Sequence, residues 1–177
     1  MKIKNAFLSI GITLLVIAML PLISIAQKDY ELTSEQGNFY IIFPGEPTYS
    51  VEDVETAVGK LKMHSYLFEE SNEAAYMVAY IDYPDDLVEE SDNDVLLEAA
   101  LEGALSSWGI DIEEVKKETR WHSGYKGIFC NEKNGDTHAA YEVILAENRL
   151  YQLAILQYDK PIPRKSLDTF YDSFELK

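Results

Sequence analysis

The chain has 177 residues, of which 47% are hydrophobic and 26% charged, and these proportions exclude a disordered or collagen-like protein. It carries 31 acidic and 15 basic residues, which gives a net charge of −16. A surface of that sign repels phosphate backbones and anionic lipid headgroups. Binding to nucleic acid, or to a membrane through a polybasic patch, is therefore not expected.

The first 26 residues have the layout of a secretory signal peptide. Two lysines precede an apolar run over residues 6–25, and small residues stand three and one positions before a cleavage point ahead of Gln27. The sequence thus predicts a secreted or periplasmic protein, with residues 27–177 forming one globular domain that has no membrane attachment after cleavage. The alternative is an uncleaved N-terminal membrane anchor, because the apolar run approaches the ~20 residues that a spanning helix needs.

Alternating and apolar patterns predict strands before and after a long helix. The segments 51–58 and 112–121 are charged, which is typical of edge strands. Asn134-Gly135 favours a two-residue hairpin turn, and a second reversal is expected at Glu147-Asn148. The other predicted strands cover residues 39–43, 61–68, 75–83, 125–133, 136–146 and 150–158.

Two helices complete the predicted elements. The first has Ser91 as its capping residue, with Asp94 three positions later, and Gly109 at its end. Its apolar stripe contains Leu97, Leu101, Leu105 and Trp108. The second is opened by Pro161 and Pro163, and its stripe contains Leu167, Phe170, Tyr171 and Phe174.

Several strands are apolar on both sides, so both faces of the sheet must be covered. The residues predict an α+β fold, a mostly antiparallel sheet with helices on both faces in an α/β/α sandwich. The alternative is a cystatin-like or nuclear-transport-factor-like curved sheet around one long helix.

Four segments in this order resemble the PsbP-like fold superfamily of small exported proteins: residues 39–47, residues 79–84, residues 150–153 and residues 170–174. The resemblance implies an antiparallel sheet between helices and a non-enzymatic binding or accessory role. It implies no catalytic or cofactor-binding residue.

The sequence contains no motif for a catalytic, metal or cofactor site. Neither His64, His122 nor His138 lies in a zinc-type spacing, and no nucleophile elbow or phosphate-binding loop is found. Cys130 is the only cysteine, and its apolar surroundings predict a buried thiol. No cofactor is therefore expected.

Acidic residues are concentrated in one third of the chain. Between Lys62 and Lys116 there are 15 acidic residues and no lysine or arginine. The simplest interpretation is a solvated loop that also favours the next helix, and the alternatives are docking of a cationic partner or weak calcium binding without a recognised motif. The candidate partner-binding residues are Asp85, Asp86, Glu89, Glu90, Asp92 and Asp94.

Three hypotheses follow for the function. The first is a non-catalytic binding or accessory protein that meets an unknown protein or small-molecule partner through this acidic surface. The second is an exported hydrolase whose site is assembled from distant residues, such as His122 or His138 with a carboxylate. A histidine–carboxylate pair in a pocket would favour it. The third is self-association through the edge strand at residues 112–121.

Overall fold

The computed structural model describes residues 28–56, 59–71, 73–107 and 115–177. The predicted signal peptide, the helix end at Gly109 and the start of the strand predicted from residue 112 lie outside these residues. Among the described residues, no helix is both long enough and apolar enough to cross a membrane.

Ten strands and three helices follow one another along the described part of the chain: β1 (Tyr30–Ser34), β2 (Phe39–Phe43), β3 (Thr48–Thr56), β4 (Gly59–Glu70), β5 (Ala74–Asp82), α1 (Asp85–Glu90), α2 (Asn93–Ser107), β6 (Lys117–His122), β7 (Tyr125–Asn134), β8 (Thr137–Ala146), β9 (Arg149–Tyr158), α3 (Arg164–Asp172) and β10 (Glu175–Leu176).

Seven of the strands form one antiparallel sheet in the order β3-β4-β5-β9-β8-β7-β6. The two charged segments become β3 and β6, the outermost strands, so the prediction that they are edge strands is confirmed. The most apolar strands, β5, β8 and β9, lie in the middle of the sheet. Their position follows from burial, because only a central strand can have both of its faces covered.

One face of the sheet, here called the α3 face, packs against α3 and a second sheet of order β1-β2-β10. Phe43 of β2 meets Phe170 of α3 edge to face, with 5.3 Å between ring centroids, and Phe129 of β7 meets Tyr171 in the same way at 5.1 Å. The small sheet was not predicted. It covers the part of this face that α3, at nine residues, leaves open.

The opposite face, here called the α2 face, packs against α1 and α2. Leu97, Leu101 and Leu105 are buried there against β7, β8 and β9, as their helical spacing predicted. Adjacent residues of β8 show why both layers are needed: Val143 belongs to this core and Ile144 to the core on the α3 face, and both are fully buried. A curved sheet covered on one side does not describe this arrangement, and the prediction of a sheet between helices is confirmed.

The start of the long helix differs from the prediction. Residues 85–90, expected as a loop, form the short helix α1. Ser91 ends α1 and does not cap α2. Asp92 is the cap instead, because its Oδ1 accepts a hydrogen bond of 2.8 Å from the backbone N–H of Asp94.

The β7–β8 turn lies one residue later than predicted. Asn134 still pairs with Thr137, so the two loop residues are Gly135 and Asp136. Gly135 takes a φ of 58°, which places glycine at the first loop position, as in a type II′ turn. The reversal at Glu147-Asn148 is confirmed, with Glu147 at a φ of 56°.

Candidate functional site

The six carboxylates predicted to bind a partner lie together at the α1–α2 junction. Four belong to α1, one caps α2, and one lies in the first turn of α2. All six are exposed. The surface they form, here called the acidic surface, comprises Asp85, Asp86, Glu89, Glu90, Asp92 and Asp94.

Some of these carboxylates have structural partners and others do not. Asp85 accepts a hydrogen bond of 2.7 Å from Asn148 Nδ2, and Asp94 forms an ion pair of 2.7 Å with Lys126. Asp92 is occupied by capping α2. Glu89 and Glu90 have no ion pair or hydrogen bond to any side chain among the described residues.

Cations near this surface are already paired with carboxylates. Lys126 is bound to Asp94, and Lys117 lies 2.6 Å from Glu98 of α2. Arg149 forms two hydrogen bonds with Asp82, at 2.5 and 2.8 Å. The acidic surface therefore keeps a net negative charge that no described side chain neutralises.

Calcium is the other ligand that clustered carboxylates can bind. In the part of the chain that the structure describes, no group of three or more histidine, cysteine, aspartate or glutamate side chains is arranged to hold a metal ion. The acidic surface is a row of separate carboxylates along a helix junction, with no cage of oxygens.

A second cluster lies on the α3 face, where the structure brings His122 of β6 to Glu142 of β8. Nε2 of His122 is 2.7 Å from Oε1 of Glu142, and Nη1 of Arg120 is 3.5 Å from Oε2. Glu142 is fully buried. A carboxylate can only accept here, so the histidine donates through Nε2.

Neighbouring residues make room for this buried carboxylate and hold its partners. Gly127 lies between Arg120 and Ile144 in the sheet, and a Cβ atom there would come 3.0 Å from Glu142 Oε1. The Arg120 guanidinium stacks on the Phe129 ring, 3.5 Å from its centroid. His122 meets Phe174 edge to face at 5.6 Å. The cluster thus ties the edge strand to the centre of the sheet and to the end of the chain.

The cluster satisfies part of what the hydrolase hypothesis requires. Glu142 could orient His122 as a base, but a base needs a nucleophile or a positioned water. Ser123 follows in the chain, yet its hydroxyl forms no hydrogen bond with the ring of His122 in the described structure. Glu142 itself is enclosed by the sheet, so it cannot reach a substrate.

The other predicted residues stay apart from this cluster. His138 forms no ion pair with a carboxylate among the described residues, and His64 stacks on Tyr80 with 4.6 Å between centroids. Cys130 is buried, as predicted, and lies on the α2 face, where burial raises the pKa of its thiol to about 11. A thiol of that kind is a poor nucleophile at neutral pH.

The His122–Glu142 pair was not predicted as a specific pair, although one signal for it was present. Glu142 is the only charged residue in the apolar run 139–146, and a lone charge in a two-sided strand must find a partner inside the fold. The partner itself could not be read from the sequence, because it is set by the register of three strands.

Comparison with known proteins identifies the fold of this chain and no more than the fold. No family model matches the chain, and no curated protein matches it. Among solved structures, the solution structure of cyanobacterial PsbP from Synechocystis sp. PCC 6803 matches with a TM-score of 0.52. The fold is PsbP-like. The match covers 88% of this chain and 95% of that chain at 16% sequence identity, so it confirms the predicted resemblance for the PsbP-like fold and carries no residue role across.

Proposed function

We propose that this chain is an exported, non-catalytic binding or accessory protein that docks a cationic partner through the acidic surface. The observation that carries the proposal is the unneutralised charge of that surface. Glu89 and Glu90 are exposed and have no ion pairs among the described residues, while Lys126 and Lys117 are bound to Asp94 and Glu98. The predicted signal peptide and the PsbP-like fold support the export and accessory parts of the proposal.

A surface of this kind mainly increases the rate at which a partner associates. Exposed carboxylates attract a cationic partner over a distance of about one Debye length and raise its rate of association. α2 packs on the sheet through Leu97 and Leu101, and α1 packs through the half-buried Val88, so the surface is formed before the partner arrives. Binding should therefore weaken steeply as salt is raised.

The test is charge reversal at the two unpaired positions. The double variant Glu89→Lys with Glu90→Lys should capture about tenfold less of the partner that the wild-type protein binds in envelope extracts, because two attractive contacts become repulsive. The capture is measured with the purified protein at low and high salt, followed by quantification of the protein that the wild type retains.

A matched control is Glu46→Lys with Glu52→Lys, which makes the same change of charge at exposed positions far along the chain and without ion pairs among the described residues. The control should capture the partner as the wild type does. Equal capture by the wild type and the Glu89–Glu90 variant would contradict the proposal.

A further inference from the structure

The outer edge of β6 borders a groove in the described structure. Its volume is about 550 Å³. One wall is lined by the consecutive residues 119–123, whose side chains alternate between the two faces of the sheet. The other wall is formed by the end of α3 and the start of β10, including Asp172 and Glu175. The groove therefore runs beside the edge strand β6.

The pairing of β6 with β7 fixes which backbone groups of β6 point away from the sheet. His122 and Tyr125 flank the two-residue turn Ser123-Gly124, whose φ angles of 52° and 92° are those of a type I′ hairpin. In such a hairpin the flanking residues form a hydrogen-bonded pair, and hydrogen-bonded pairs alternate along an antiparallel ladder. The N–H and C=O groups of Thr119 and Trp121 therefore point away from β7, and no described residue bonds them.

The charges of the groove favour a cation. Arg120 is paired with Glu142, which also accepts a hydrogen bond from His122, so the charge of Arg120 is already compensated. Asp172 has no ion pair among the described residues, and Glu175 has only an exposed contact of 3.6 Å with Lys177. The last turn of α3 ends at Asp172 without a basic residue, and the negative end of a helix dipole attracts positive charge.

An exposed aromatic side chain lies on the same strand. Trp121 is 67% exposed and projects to the α2 face of β6, opposite Lys126 of β7. A side chain of an added strand would lie beside the indole ring at cross-strand distance. Tryptophan is enriched at binding surfaces, because its ring offers a large apolar contact area and its N–H a hydrogen-bond donor.

We propose that β6 binds an extended basic segment of a partner protein, which adds an eighth strand to the sheet and places a lysine or arginine side chain between Asp172 and Glu175. In such strand addition, backbone hydrogen bonds to Thr119 and Trp121 provide the affinity, and the two carboxylates provide the preference for a positively charged side chain. The inference is independent of the acidic surface, which lies on α1 and α2. A second copy of this chain fits less well, because pairing of two β6 strands would bring both copies of Asp172 and Glu175 to one interface.

The probe is a labelled decapeptide of alternating lysine and valine. Its titration into the protein should slow amide hydrogen exchange at Thr119 and Trp121, since their N–H groups become bonded. The same peptide with alternate backbone nitrogens methylated keeps its charge and loses its donors, so it should bind at least tenfold more weakly. A glutamate–valine decapeptide should not bind.

Variants of the protein separate the backbone contribution from the charge contribution. Thr119→Pro removes an outward N–H at an edge position where proline is tolerated, and should abolish peptide binding, while Thr119→Ala should bind as the wild type does. Asp172→Asn with Glu175→Gln should weaken binding by about fivefold.

Three results would overturn the inference: peptide binding without slower exchange at Thr119 and Trp121, equal binding of the methylated peptide, or a dimer of the free protein that Thr119→Pro dissociates. The last result would assign the edge to a second copy. The Glu89–Glu90 variant should bind the decapeptide normally, so failure of this inference and failure of the proposed function are distinguishable.

Discussion

Glu142 is the one charged side chain that is buried among the described residues. A buried carboxylate costs several kcal/mol of solvation free energy unless its oxygens are bonded. Both oxygens are bonded here, one to His122 and the other to Arg120. Both partners lie on the edge strand β6. The outermost strand therefore provides the hydrogen bonds that replace water around a charge inside the sheet.

Removal of His122 should therefore destabilise the protein more than its position near an edge suggests. His122→Ala leaves Glu142 Oε1 buried without its 2.7 Å partner, and the free energy of unfolding in urea should fall by about 1.5–3 kcal/mol, the usual contribution of a hydrogen bond to a charged group. His138→Ala is the control, because that ring forms no ion pair with a described carboxylate, and it should have a much smaller effect. Equal losses for the two variants would show that the bond to Glu142 is not what stabilises the edge.

At the scale of elements, the α1–α2 junction shows how the choice between two neighbouring capping residues decides where one helix ends and the next begins. Either Ser91 or Asp92 could cap a helix, since both residue types accept hydrogen bonds from free N–H groups. The structure uses Ser91 to end α1 and Asp92 to begin α2. The acidic surface results from this choice, because only two residues separate α1 from α2 and the carboxylates of α1 therefore adjoin the first turn of α2.

Substitution of the cap tests this assignment. Asp92→Ala removes the 2.8 Å bond to the N–H of Asp94 and a negative charge at the positive end of the helix dipole, so it should lower the free energy of unfolding by about 1 kcal/mol. Ser91→Ala should change it by only a few tenths of a kcal/mol. A larger loss for Ser91→Ala, measured by urea unfolding, would reverse the assignment.

At the scale of the whole molecule, the large negative charge affects the stability of the folded state. The net charge of −16 comes mostly from the segment between Lys62 and Lys116, and several of its carboxylates lie on one helix junction. Repulsion among them opposes folding, and salt screens it.

The thermal midpoint of unfolding should therefore rise as sodium chloride is increased from about 0.02 to 0.3 M, where the Debye length falls below about 10 Å. Glu89→Gln with Glu90→Gln should reduce that rise, since it removes two of the repelling charges. Thermal unfolding followed by circular dichroism measures both. A midpoint that falls with salt would mean that the exposed ion pairs, such as Asp94–Lys126, outweigh the repulsion.

The sequence by itself determined the layers of this protein. Apolar residues on both sides of β5, β8 and β9 require covers on both faces, and the helical stripe of Leu97, Leu101 and Leu105 predicts the cover of one of them. Local chemistry also placed the reversals, to within one residue at Gly135. These features could be predicted because each depends on neighbours within a few residues.

Tertiary structure alone decided what each charged residue meets. The pairing of His122 with Glu142, 20 positions apart, depends on the register of β6, β7 and β8 together, and the groove beside β6 depends on where α3 and β10 return to the sheet. The small sheet that covers the α3 face likewise joins β1 and β2 to β10 at the other end of the chain. Contacts of this kind are set by packing between distant segments, and hydrophobic pattern and turn chemistry carry no information about them.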